Sequence, residues 1–324
     1  MRDDQQTDVL ERIIHEFRPA SIRVVTAYEQ FYPKDGVLST TPGMNIERTY
    51  IETAKGQRYY EESSIVPDGR TARKKYFSDG KKNAAIYYKE GETSKMGSAG
   101  ELPEFRNEVR EGYYEAPEPY RWAWVGLKRL EEVLPSAEKL GEVQVLGRPC
   151  DPYLFAAVKS PTATQTMVYT LDRATSVPVR VVAYWDPQHF RDERPTWIWE
   201  ALSLDTIGDH HYPMKSYYQA YLWSEKDKEH LNQIERKHLI NVTSIEYDKP
   251  YPEAMFWPKA EIAEYDAMIK AAEKAMKTAV PAPVTQVANP IADDGSEGGW
   301  PMWPGLVLSA ALIVAALVVR TRSQ

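Results

Sequence analysis

A single cysteine, Cys150, stands among 324 residues. That excludes an intrachain disulfide, and a structural zinc site would have to form without a cysteine set. Basic charge is in deficit: 40 Lys and Arg against 47 Asp and Glu leave a net charge of −7. Phosphate contacts need net positive surface, so the balance speaks against nucleic acid as a partner. No GxSxG, P-loop, dinucleotide glycine or HExxH pattern is present. The first residues, "MRDDQQTDVLERIIHEF", lack the apolar h-region and small-residue cleavage site of a signal peptide. Long apolar runs are missing as well, with one exception at the far end.

The exception is "WPMWPGLVLSAALIVAALVVRTRSQ", in which residues 300–319 carry no charge. At ~1.5 Å per residue a helix of that length covers about 30 Å, the hydrocarbon thickness of a bilayer. Trp300 and Trp303 take interfacial positions, Arg320 and Arg322 follow at once, and the preceding "ADDGSEGG" is acidic. Positive-inside orientation puts the C-terminus in the cytoplasm and the rest outside. The expectation is a single-pass membrane protein with a C-terminal anchor at 300–319 and a cytoplasmic tail at 320–324, its main domain extracytoplasmic, on the periplasmic side. A buried core helix and a later-cleaved sorting tail are the alternatives. The missing signal peptide leaves two readings. Either the start is trimmed or misplaced, or the topology is reversed with the domain in the cytosol; the flanking charges favour the first.

Aromatics are plentiful, with 9 Trp, 21 Tyr and 7 Phe, ample for a packed core. Residues 1–20 predict a helix, with Asp8 as cap, Val9, Ile13, Ile14 and Phe17 as its apolar face and Pro19 as its end. Residues 258–277 predict another, with Ile262, Tyr265, Ile269, Ala272 and Met276 on one stripe. Residues 278–299, rich in Pro, Ala, Gly and acidic side chains, read as a linker. Between the helices, 21–257 reads mainly as strands. "IERTYIETAKGQRYYEESSIV" turns at Lys55-Gly56, and "ARKKYFSDGKKNAAIYY" turns at Asp79-Gly80, a strong hairpin signal. Further strands are expected at 142–146, 153–158, 165–171, 178–185, 197–204, 214–223 and 234–248. At 120–134, Trp124, Leu127, Leu130 and Leu134 have helical spacing. The fold class is α+β: a large curved antiparallel sheet of about eleven strands, an unclosed β-barrel with covering helices. Several strands are apolar on both faces, so both must be covered or one kept for a ligand.

Three stretches carry a family resemblance. They are "SDGKKNAAIYYKE", "LDRATSVPVRVVAY" and the closing "SIEYDKPYPEAMF". Over 21–257 the pattern resembles the LolA-like superfamily of periplasmic lipoprotein carriers and sensors, whose members share an unclosed β-barrel around a hydrophobic cavity with helices as its lid. The resemblance implies that the domain binds acyl chains of a lipid or lipoprotein. Candidate wall residues are Phe155, Trp185, Ile198, Leu202, Leu204 and Tyr218, and candidate lid residues are Trp122 and Trp124. Taken singly, each is more often a core residue than a ligand contact. The chain departs from the family in its own C-terminal anchor and in a long insert at 101–141.

Other signals are weaker. His210-His211 on a strand point to opposite faces and cannot easily share an ion, so no metal is expected. Cys150 in "GRPCDPY" has no marked base and reads as a buried thiol. The basic run Arg70, Arg73, Lys74, Lys75, Lys81 and Lys82 reads as a solvated strand pair beside Glu61, Glu62 and Asp79. No cofactor is expected. The leading functional reading is a non-catalytic lipid- or lipoprotein-binding domain. The alternative is an envelope sensor module regulating a membrane-protein partner, and an envelope enzyme stands third.

Overall fold

Alternation and turn chemistry build one sheet. The computed structural model describes residues 2–66, 69–89, 96–101, 117–126, 128–159, 164–224 and 229–278. The chain divides into Met1–Thr278 and Ala279–Gln324, and every described residue lies in the first unit. The expected anchor at 300–319, the tail at 320–324 and all but the first residue of the linker therefore lie outside the described residues. Among those residues no helix is long and apolar enough to cross a membrane.

Helix α1 (Arg2–Phe17) opens the chain. It starts well before Asp8, so Asp8 is not its cap; instead Asp8 pairs with Arg12 one turn on. The helix stops two residues before Pro19, whose ring disfavours helical backbone just ahead of it. Ile13 and Phe17 are buried, each such side chain stabilising by about 1.5–3 kcal/mol, while Ile14 is exposed.

Strands β1 (Ser21–Phe31), β2 (Met44–Thr53), β3 (Arg58–Ile65), β4 (Thr71–Ser78), β5 (Lys82–Lys89) and β6 (Met96–Glu101) follow as successive neighbours. The second half supplies β7 (Glu138–Lys139), β8 (Val143–Val145), β9 (Arg148–Lys159), β10 (Thr164–Asp172), β11 (Pro178–Tyr184), β12 (Trp197–Ala201), β13 (Lys215–Ser224) and β14 (Glu229–Tyr247). The order is β7-β9-β10-β11-β12-β13-β14-β1-β2-β3-β4-β5-β6, with β8 on β9, and the pairings are antiparallel. The first and last long strands, β1 and β14, pair at its centre. The path ends at β7 and β6, which do not pair with each other, so the curved sheet stays open. Among the described residues the main sheet has fourteen strands, against the expected eleven or so. Strand β6 ("MGSAGE") and the two-residue β7 have no alternation to betray them.

The Asp79-Gly80 turn forms as read. Asp79 Oδ1 accepts from the Lys81 and Lys82 N–H groups at 2.8 and 2.7 Å, and Gly80 has φ +88°. A Cβ on Gly80 would stand 2.8 Å from the Lys55 carbonyl, so two hairpin turns nest there only because one is glycine.

Residues 120–134 do not form the expected helix. Tyr120–Ala123 is a single 3-10 turn, Trp124–Val125 pairs with Lys128–Arg129 as a ribbon, and α2 (Leu130–Val133) is one turn long. Gly126 at φ +65° breaks the helical path. Helix α3 (Pro187–Arg191) is capped by Asp186, and α4 (Glu253–Phe256) leads into α5 (Lys259–Thr278), one residue displaced from the expected 258–277.

Registered pairs share a face, which assigns the two sides of the sheet. One face carries Val24 and Tyr28 of β1, Tyr50 of β2, Trp199 of β12, Val181 of β11 and Tyr169 of β10. The main core forms here, under α1 and residues 120–134. On the opposite face, Phe77, Ala84 and Ile86 pack with Ile262 of α5. Lys75 on that face donates to Glu261 at 2.7 Å, and Arg73 pairs with Glu61, so these members of the basic run are neutralised within the fold.

Candidate functional site

Part of the inner face of the sheet is covered by a plug. The plug is aromatic. Trp122 is fully buried, stacked on Trp197 (centroids 5.2 Å, 20° from parallel) and tilted against Trp199 at 5.9 Å. Tyr120 meets Phe17 of α1 and Tyr50 of β2. Polar ties hold the plug in place: Tyr169 Oη donates to the Trp124 carbonyl at 2.8 Å, and Arg18, just after α1, donates to Glu131 at 2.6 Å. Much of the hollow that the resemblance implies is therefore occupied by the chain's own side chains.

Space remains beside the plug. A cavity of about 410 Å³ is lined by Arg48, Arg121, Arg236, Glu118 and His238, with Trp197, Tyr218, Met167 and Val158 as its apolar wall. Arg48 lies over the Tyr28 ring at 4.3 Å and donates to Glu62 at 2.7 Å. Burial pushes Glu62 up, but Arg48 and the Tyr60 hydroxyl more than offset it, so its carboxyl titrates below the usual range. Tyr28 donates to Glu118 at 3.1 Å, and Glu118 lies 3.6 Å from Arg121. Burial, then the Glu118 charge, push the Tyr28 hydroxyl well up. Arg236 is exposed above Tyr218, with no carboxylate at ion-pair distance among the described residues. His238 packs on Tyr218, and its Nε2 is buried without a hydrogen-bond partner among the described residues. Burial first, then Arg236, Arg48 and Arg121, push His238 down to about 3. It stays neutral at physiological pH, so the positive charge of the cavity belongs to the guanidinium groups.

A second cavity of about 650 Å³ is predominantly apolar. Val125, Val133, Ala137, Leu154, Phe155, Ala156 and Val158 line it. The two cavities share Val158, and Gly126, which lines the first, directly follows Val125 of the second. Gly126 presses on the bulge of β9. A Cβ there would meet the Lys159 carbonyl at 2.4 Å and the Val158 side chain at 2.9 Å, on a backbone at φ +65°. Gly126→Ala is therefore expected to destabilise the fold by at least about 1–3 kcal/mol, read from urea unfolding.

The residues singled out in the sequence fall into three groups. Phe155 lines the apolar cavity, Tyr218 lines the arginine cavity, and Trp122 fills the space between plug and sheet. Trp124 is half-buried under Arg129, and Trp185 is half-buried just after β11. Ile198 is placed on the outer face beside Val182 and Phe190, and Leu202 is 50% exposed; Leu204 packs at the rim of the core. The inward positions of β12 belong to Trp197 and Trp199. Sequence reasoning missed Arg48, Arg121, Arg236 and His238. The available signal was Arg48, a cation at an alternating position between Ile46 and Tyr50.

The site thus defines an open antiparallel half-barrel with an aromatic plug and a cationic-to-apolar pair of cavities. No family model matches the chain, and no curated protein matches it. Solved structures similar to it include a DUF1329 family protein from Desulfovibrio piger (13% identity, 79% of this chain and 98% of that chain, TM-score 0.46). Another is a LolA superfamily protein from Nitrosomonas europaea (10% identity, 77% and 96%, TM-score 0.41). A third, from Vibrio parahaemolyticus, is a domain named for outer-membrane lipoprotein sorting (10% identity, 80% and 98%, TM-score 0.43). The superfamily read from the sequence is thus among those of similar architecture.

Proposed function

We propose that this domain is a non-catalytic binder of an amphiphile with an anionic head, of lipid or lipoprotein type, held on the extracytoplasmic side of a membrane by the C-terminal segment. The observation that carries the reading is the adjoining pair of cavities meeting at Val158: one is lined by three guanidinium groups against the single carboxylate of Glu118, the other is mainly apolar with Lys128, Glu138 and Lys159 among its lining. Both volumes lie in the range of ligand pockets. Each methylene moved into the apolar cavity is favoured by ~0.8 kcal/mol. A carboxylate or phosphate head would gain charge-assisted bonds from guanidinium groups, Arg236 being the most accessible. The Cys150 thiol supports a non-catalytic role: burial raises its pKa, and Sγ donates to the Arg148 carbonyl at 3.3 Å.

The test uses the full chain, stripped of lipid, with a fluorescent fatty acid and the matching fluorescent fatty alcohol. The acid is expected to bind at least about tenfold more tightly, an advantage of ~1.4 kcal/mol from the head alone. Arg236→Glu, at an exposed position, should erase that difference. Val158→Trp should weaken both probes by closing the junction. Absence of binding by either probe, with one stoichiometric membrane protein recovered instead, would support the sensor reading.

A further inference from the structure

A second cluster of chemistry-bearing residues lies apart from the cavities, where α1 passes the ribbon formed by Asp205–Ile207 and His210–Tyr212. His15 and Glu16 come from the last turn of α1; Asp209, His210 and His211 come from the ribbon. The His15 and His210 rings stack, with centroids 4.6 Å apart and planes 7° from parallel, and Tyr247 closes the other face of His210 at 4.0 Å. Both rings turn Nε2 toward Asp209. Its Oδ1 is 3.6 Å from His210 Nε2, its Oδ2 is 3.9 Å from His15 Nε2, and its carbonyl is 3.1 Å from the latter. Ligand atoms of all three residues lie within 4.8 Å of one another.

His210 supplies the second, independent observation. It is 4% exposed, and its Nδ1 has no hydrogen-bond partner among the described residues. The oxygen facing that nitrogen is Glu16 Oε2 at 3.6 Å. Glu16 is itself buried and fixed by His211, whose backbone N–H is 2.8 Å from Oε2 and whose Nδ1 is 2.8 Å from Oε1. A ligating imidazole normally directs its other ring nitrogen at a carboxylate, which fixes the tautomer and raises basicity. In His210 the two partners stand on the right sides, with Glu16 Oε2 3.6 Å behind Nδ1, a short shift from a hydrogen bond, and the solvent-facing Asp209 carboxylate in front of Nε2.

We propose that His15, Asp209 and His210 form a binding site for a divalent transition metal of zinc type, with Nε2 of each imidazole and the Asp209 carboxylate as ligands and Glu16 as the orienting partner of His210. Two imidazoles and one carboxylate form a borderline set that suits zinc, and also nickel or copper, rather than magnesium or calcium. Bond lengths of ~2.0–2.2 Å require the three groups to close up. His15 and Asp209, 48% and 81% exposed, have room to do so around the buried His210, with His15 Nε2 exchanging its hydrogen bond to the Asp209 carbonyl for the ion. A fourth position stays open to water. The adjacent pair His210-His211 does not share the ion: His210 ligates, and His211 holds Glu16. The missing ligand comes from α1, so the ion would clasp the N-terminal helix to the ribbon.

The test takes the full chain without a polyhistidine tag, stripped by chelator, at pH 7.5. Zinc titration by calorimetry should show one saturable equivalent, and zinc should raise the thermal midpoint where magnesium does not. His15→Ala and Asp209→Asn, both at exposed positions that tolerate change, should each weaken zinc by at least about tenfold, and Glu16→Gln by about 10–100-fold. His189→Ala, on α3, should leave zinc affinity unchanged. No saturable zinc binding overturns the proposal, and so does unchanged affinity in the His15 and Asp209 variants.

Discussion

Asp172→Ala is expected to destabilise the fold by about 4 kcal/mol at neutral pH, measured by urea unfolding. Asp172 is 1% exposed and serves four donors: Arg148 Nε at 2.6 Å, Arg148 Nη2 at 3.2 Å, and the Thr175 N–H and hydroxyl, both at 2.9 Å. Thr175 is buried, so alanine would strand two donors at ~1–3 kcal/mol each. Arg148 is 41% exposed and returns to water at little penalty. By the same reasoning Arg148→Ala should be milder, at about 1–2 kcal/mol, because Thr175 still serves the carboxylate. Burial pushes the Asp172 carboxyl up, but the bonds from Arg148 and Thr175 more than offset it, and its pKa falls below the usual value. A depressed folded-state pKa contributes stability that is complete above the unfolded value near ~4 and disappears as pH falls through the folded value. The gap between native chain and Asp172→Ala should therefore narrow below about pH 4. A gap unchanged at pH 3 would show that the carboxylate's charge contributes nothing.

This turn sits inside "LDRATSVPVRVVAY", one of the stretches on which the family resemblance rested. Its residue types announced a turn; they did not announce that Arg148, from the preceding strand, would complete it. The same division runs through the whole fold. Local signals survive: the Asp79-Gly80 hairpin, the α5 pattern, and the stop of α1 before Pro19 depend on neighbours in sequence. Readings that needed a face assignment fared less well. Strand β12, "WIWEA", is apolar on both sides, so its period of two names two faces without saying which is inward. The inner face took Trp197 and Trp199, because Trp122 of the plug needed flat partners there. The 120–134 segment had helical spacing, yet Gly126 is pressed against the β9 bulge, a contact that no local pattern encodes. The arginine cavity draws on β2, the 3-10 turn and β14, and such a constellation has no spacing motif at all.

Trp122→Ala should cost about 3–5 kcal/mol, the range for truncating a fully buried large aromatic side chain. Its indole is stacked on Trp197, leans on Trp199 and lies under the Arg121 guanidinium at 4.8 Å. Its Nε1 makes no hydrogen bond among the described residues, so the loss is one of packing and ring contacts. Trp122→Phe keeps a ring and removes a buried polar atom, and should lose roughly half as much. The alanine variant also separates stability from binding. Trp197 faces both the indole and the arginine cavity, so the void left by alanine would join that cavity instead of closing on itself. The void would give the bound amphiphile a second apolar space beside the head-binding cavity, into which part of its chain can pack. Thermal unfolding should therefore show the stability loss, while the fluorescent fatty acid binds the folded variant more tightly than the native chain. Equal stability loss with weaker or unchanged uptake would mean that the plug is ordinary core and that the acyl chain, if one binds, lies elsewhere.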